Sequence, residues 1–192
     1  MLIQTRVNIV RIGLVYLRPR QVGFVRAVGP YSASSAKAWD EMFAWMTRNN
    51  LDGRIDRGYG LAVDDPQTVA AAQCRYEACI ELPDSFVSRR NDSLALQTLP
   101  GGAFARVRHV GPYHNVRTSI AKVCDEWLAN QPCLRADRRR PLLTIFLDDP
   151  KRQLAEKLRC DVCVPVRTLH EDVFQRTKFT SDDPAAHSRL QS

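Results

Sequence analysis

His109 and His114 flank a Gly-Pro-Tyr triplet at residues 111–113, and an imidazole beside a turn is a candidate general base because it titrates near neutral pH. No candidate nucleophile accompanies them, so both are expected at the surface and no catalytic residue is assigned. Cys160 and Cys163 form a C-x-x-C pair. A closed zinc site needs four thiolate or imidazole ligands, and no second pair stands at the required spacing, so no metal and no cofactor are expected. Cys74, Cys79, Cys124 and Cys133 fall in apolar patterns, where a thiol behaves as a small hydrophobe, and all six cysteines are expected buried and reduced. Tyr31 and Tyr113 each follow Gly-Pro. A phenol there either packs as a staple or presents its hydroxyl to a ligand, and both readings stay open. Trp39, Trp45 and Trp127 lie on helical apolar stripes, which favours core positions.

Charge and composition narrow the classes of function. The net charge of +7 among 192 residues is mostly arginine. Only Arg135 with Arg138, Arg139 and Arg140 forms a cluster, expected as a solvated loop between a helix and a strand rather than a phosphate-binding patch. With 44% hydrophobic and 26% charged residues the chain is of ordinary globular composition. No apolar run reaches the roughly 18 residues of a membrane-spanning helix. Arg6 and Arg11 interrupt the first apolar stretch, which reads poorly as a secretory signal, so a cytoplasmic protein is expected.

The elements that must position these residues follow from an internal repeat. VGFVRAVGPY at 22–31 aligns with GAFARVRHVGPY at 102–113, so Tyr31 meets Tyr113 at an offset of 82 residues, as Trp45 meets Trp127. Further on, Asp64-Asp65-Pro66 matches Asp148-Asp149-Pro150, and Arg75, Glu77 and Cys79 match Arg159, Asp161 and Cys163, all at an offset of 84. Phe24–Val28 and Phe104–Arg108 read as strands stopped by Gly-Pro. Ala38, Met42, Trp45 and Met46 keep helical spacing after serines able to cap, as do Ile120, Val123, Cys124, Trp127 and Leu128. Tyr59–Val63 and Leu142–Leu147 read as strands ended by Asp-Asp-Pro, and Tyr76–Leu82 and Cys160–Val166 as closing strands.

The fold class is therefore α+β. Two strand-helix-strand-strand modules, 16–84 and 95–166, are expected to join about a pseudo-twofold axis into one antiparallel sheet. Both helices would lie on one face, and a groove would form on the other. Residues 1–15 are expected to be an extension adding an edge strand. The link PDSFVSRRNDSL reads as a surface crossing, and residues 167–192 as a polar tail.

VRHVGPY, the helix ending in Trp127, PLLTIFLDDP and RCDVCVPV together resemble the GyrI-like family over about residues 16–166. That family comprises effector-binding domains of AraC-type and MerR-type transcription regulators, the stand-alone gyrase inhibitory protein and related hydrolases. The resemblance implies a cleft between the modules for hydrophobic, often cationic, drug-like molecules, as in multidrug binding. On that basis Tyr31, Trp39, Tyr59, Phe104, Tyr113, Trp127, Thr144 and Phe146 are the expected ligand-binding residues. Many relatives carry P-x-x-E-x-Y-L-x-D-P, whereas here Thr144 replaces the glutamate and Phe146 the tyrosine. A hydroxyl gives a cation no counter-charge, so either the ligand is neutral or anionic, or Glu77 or Glu81 substitutes. Glu77 is expected in a structural role shared with Asp161, and Glu81 equally at a solvated edge.

Three functions follow from the resemblance. The preferred one is sensing or sequestering a small hydrophobic compound. Hydrolysis of a strained or electrophilic small molecule is disfavoured by the loss of glutamate at Thr144, because that chemistry needs a carboxylate to guide water. Inhibition of gyrase would require a protein partner. Direct nucleic-acid binding is not expected, since neither residues 1–20 nor the tail can hold a helix-turn-helix.

Overall fold

A computed structural model of the chain describes residues 11–53, 57–82 and 94–169. The link between the modules lies outside them except for Leu94, and so does nearly all of the tail.

In the first module β1 (Ile12–Leu17) and β2 (Arg20–Val28) precede α1 (Tyr31–Arg48), β3 (Gly58–Ala62) and β4 (Arg75–Ile80). The second repeats this with β5 (Ala95–Leu99), β6 (Gly102–Val110), a helical segment, β8 (Leu142–Phe146) and β9 (Arg159–Thr168). The short β7 (Leu134–Ala136) lies between that segment and β8. The antiparallel sheet runs β1-β6-β9-β8-β3-β4-β2-β5, with β7 paired to β9. The halves join at β3 and β8, where Gly58 faces Phe146, Gly60 faces Thr144 and Ala62 faces Leu142.

The α+β class and the joined antiparallel sheet agree with the sequence reading, but the second module carries two strands beyond those expected, β5 and β7, and β1, overlapping residues 1–15, precedes the first module's three at the sheet edge. β1 pairs with β6 of the second module and β5 with β2 of the first, so each module's leading strand borders the other module's half of the sheet. The hydrophobic pattern hides β5, which leaves Leu96 exposed, and β1 likewise leaves Leu14 and Tyr16 exposed.

Strand alternation sends every second side chain to each face. Val25, Ala27, Ala78 and Ile80 meet Ala38, Met42, Trp45 and Met46 of α1 in one core. Ala105, Val107, Val162 and Val164 meet Val123 and Leu128 in the equivalent core of the second module. The expected serine cap is absent, because α1 starts directly after Pro30 and Ser34 Oγ instead donates to the Gly29 carbonyl, 3.2 Å away. Gly29 and Gly111 adopt φ of 137° and 128°, which an L side chain resists, so both strand-to-helix corners require glycine. The second helical segment is broken into α2 (Val116–Ala121), a π-helical turn (Lys122–Trp127) and a 3₁₀ turn (Leu128–Asn130).

The other face of the sheet carries a third core. Val22, Tyr59, Leu61, Cys79, Leu99, Phe104, Leu143 and Cys163 pack there with Leu17 and Val15. Both edges of the sheet contribute, Leu17 from β1 and Leu99 from β5, so the sheet coils around this face and fills it with its own side chains. A fully buried residue of Phe104's kind stabilises by roughly 1.5–3 kcal/mol, which an open groove would forgo. Among the described residues, this packing fills the face where the groove was expected. Among the described residues, no helix is long and apolar enough to cross a membrane.

Candidate ligand-binding site

A cavity of about 2120 Å³ opens on the helix-bearing face, between α1 and the second helical segment. Its floor is the central strand pair. Thr144 and Phe146 of β8 rise from that floor beside Gly58, Gly60 and Ala62 of β3. The glycines leave room that a side chain would take, since a Cβ on Gly58 would lie 2.4 Å from the Trp39 ring and one on Gly60 would lie 2.1 Å from the Tyr76 hydroxyl.

Phe146 is the centre of an aromatic cluster drawn from both modules. Trp39 meets its ring edge-on at 5.2 Å and Tyr113 at 4.8 Å, while Phe43 backs Trp39 at 5.5 Å. Trp39 Nε1 donates to the Tyr76 hydroxyl at 3.3 Å, which fixes the indole plane. Such offset and edge-on pairs add about 0.5–1.5 kcal/mol beyond area burial, so the cluster is preorganised. Thr144 is only 7% exposed.

Both tyrosines after Gly-Pro pack as staples and do not present their hydroxyls to the cavity. Their rings line the cavity, but their hydroxyls are committed: Tyr31 donates to the Asp64 carbonyl and Tyr113 to the Asp148 carbonyl, each at 2.7 Å. Burial pushes both phenols up to about 12. The side chains of Asp64 and Asp148 accept hydrogen bonds from Arg75 and Arg159, which hold these carboxyls below their ordinary range.

Of the residues expected at the site, Tyr31, Trp39, Tyr113, Thr144 and Phe146 line this cavity. Tyr59 and Phe104 lie in the core of the opposite face, 3% and 0% exposed, because odd positions of β3 and even positions of β6 point there. Trp127 packs against the second module's core and is not among the lining residues. The cluster also includes Phe43 and Tyr76, which the sequence pattern absorbs into a core stripe and a strand. The glycines of Gly58-Tyr59-Gly60 were the available signal, marking a close approach to that strand.

Neither glutamate replaces the charge missing at Thr144, since both point to the other face. Glu77 is 2% exposed and takes hydrogen bonds from Arg26 Nε at 2.9 Å and from Gln97 at 2.6 Å. Asp161 is held likewise by Arg108, so the shared structural role expected for this pair holds, with arginine as the main donor. Glu81 binds the Tyr59 hydroxyl and Arg20.

His109 is not at the surface. It is 6% exposed, with Nε2 at 3.2 Å from the Pro112 carbonyl, to which it donates, and Nδ1 at 2.9 Å from Ser119 Oγ, with which it pairs. It ties the second helical segment to its corner. His114 is exposed, as expected. Arg135, Arg138 and Arg139 are exposed, as expected of a solvated loop, and the cluster also pairs: Arg138 with Asp65 at 2.6 Å, Arg139 with Asp137 at 3.0 Å, while the half-buried Arg140 stacks over Phe104 at 4.4 Å. Cys160 and Cys163 point to opposite faces of the sheet, and burial raises both thiols to about 12. Cys133 is exposed and Cys124 half-buried in the cavity wall, against the expectation of burial for all six.

Residues 12–167 match the GyrI-like small molecule binding domain. The chain belongs to that family. A GyrI-like relative named as a DNA gyrase inhibitor, from Yersinia enterocolitica, is 28% identical over 94 residues, 48% of this chain and 59% of that protein. "Probable transcriptional regulator YgiV" of Escherichia coli is 26% identical over 108 residues, 56% of this chain and 66% of YgiV. The chain thus covers less than two thirds of the first relative's length. Among solved structures, the C-terminal domain of EcmrR shares the fold at a TM-score of 0.65 and 16% identity, over 84% of this chain and 99% of that domain. SAV2435 bound to tetraphenylphosphonium shares it at 0.56 and 12% identity, over 84% of this chain and 96% of that one.

Proposed function

We propose that this GyrI-like chain binds a hydrophobic small molecule between α1 and the second helical segment, and so senses or sequesters it. The observation that carries this reading is the cluster on Phe146, where Trp39 of one module and Tyr113 of the other meet one ring above a glycine-bearing floor. A preformed apolar concavity with few polar groups is the usual form of a small-molecule site. Tyr31, Trp39, Tyr113, Thr144 and Phe146 are the contacts we assign, joined by Phe43 and Tyr76.

Thermal denaturation with a panel of polyaromatic compounds tests this. Ligand at a hundred times its Kd stabilises by about 2.7 kcal/mol, and Phe146→Ala should abolish that shift. A panel that moves neither the wild type nor the variant would refute the reading. A second reading, inhibition of gyrase, is favoured by the names of the curated relatives. A supercoiling assay with purified gyrase checks it, and undiminished supercoiling at saturating protein would remove it.

A further inference from the structure

We infer that the cavity selects anionic or neutral aromatic ligands over lipophilic cations; this rests on the binding function proposed above and adds the charge of the ligand. The first observation is Lys151. Its ammonium lies 4.7 Å from the Phe43 ring centroid and makes no ion pair among the described residues. The protein thus places its own cation on the ring system that a cationic ligand would need, where the two like charges would compete for one ring face.

The second observation is the state of the carboxylates. Every aspartate lining the cavity except Asp52 and Asp125 is already held by an arginine: Asp64 by Arg75, Asp65 by Arg138, Asp137 by Arg139, Asp148 by Arg159 and Asp149 by Arg152. No glutamate is among the described lining residues. Asp52 accepts from the Thr47 hydroxyl, and Asp125 is exposed on the second helical segment. Against these two stand Lys151, Arg117 and Arg135, which line the cavity without an ion pair among the described residues. Arg135 donates only to backbone carbonyls. The floor itself offers the neutral hydroxyl of Thr144, which can donate to an acid.

Isothermal titration of the full chain with tetraphenylborate and tetraphenylphosphonium, ions of nearly the same shape and opposite charge, isolates the effect. In sodium buffer the borate should bind at least tenfold tighter, with neutral triphenylphosphine oxide also binding. Lys151→Glu should weaken the borate and strengthen the phosphonium, and Thr144→Glu should do the same from the floor. Phe146→Ala should weaken borate and phosphonium alike. Phosphonium binding as tight as borate, lost in Phe146→Ala, would overturn the charge selection and leave the cavity reading standing. Borate binding indifferent to Phe146→Ala would show adsorption to a basic surface and overturn the selection. Absence of binding by all three probes would overturn both.

Discussion

The two modules share their backbone engineering and differ where the cavity is. Tyr31 and Tyr113 reach equivalent carbonyls, Gly29 and Gly111 donate to the carbonyls of Cys74 and Leu158, and Asp64–Arg75 repeats as Asp148–Arg159. Beyond these two tyrosines, the rings around the cavity do not repeat. Trp39 corresponds to Ala121, Phe43 to Asp125, Tyr76 to Cys160, and Phe146 to Ala62. Duplication supplied the scaffold, and divergence placed an aromatic wall on one side only. A lopsided pocket follows, its rings supplied mainly by α1, Tyr76 and β8.

The largest expected difference between the modules concerns their buried acids. Arg26→Ala leaves Glu77, 2% exposed, without its cation, which costs about 3 kcal/mol in urea denaturation. Arg108→Ala should cost less, because Arg106 remains 3.8 Å from Asp161. Equal losses would contradict the unequal support described here.

Next in size is the aromatic wall. Trp39→Ala should weaken a polyaromatic probe at least tenfold, about 1.4 kcal/mol and within the value of one buried aromatic side chain, whereas Ala121→Ser at the equivalent position should change little. Comparable losses in titration would mean that both walls hold the ligand.

A smaller and symmetric effect is expected at the corners. Tyr31→Phe and Tyr113→Phe each remove one phenol-to-carbonyl hydrogen bond and should each cost about 1 kcal/mol. An unequal pair would break the claim that the corners are duplicated.

The smallest effects are in pH. Both phenols titrate near 12 in the fold against an ordinary value of 10.0, so the stability they lend is complete below pH 10 and is lost as pH rises toward 12. Asp64 and Asp148 act in the opposite direction. Their carboxyls lie below the ordinary 3.8, so their contribution is present above that pH and disappears as pH falls beneath it. Denaturation midpoints of the two Tyr→Phe variants should therefore lose part of the alkaline fall seen in the wild type.

The repeat made the paired strands and α1 legible, because Gly-Pro and Asp-Asp-Pro are strong punctuation and the stripe of Ala38, Met42, Trp45 and Met46 has one period. β5 was obscured by Leu96, an apolar residue that faces outward at the sheet edge. The face carrying the site was not readable from either copy, because it depends on how the sheet coils. Once Leu17 and Leu99 close the opposite face, Tyr59 and Phe104 become core and the helix-bearing side is left concave. The same alternation explains why Glu77 and Glu81, adjacent in sequence to cavity residues, never reach the cavity.

Tryptophan emission gives the most direct test of where the ligand sits. Trp39 lines the cavity, whereas Trp45 is buried beneath α1 and Trp127 packs on the second module's core. Titration with a polyaromatic ligand should change the emission of the wild type and of Trp127→Phe, and that change should vanish in Trp39→Phe. A change that survives in Trp39→Phe and disappears in Trp127→Phe would place the ligand away from the ring cluster and contradict a site between the helices.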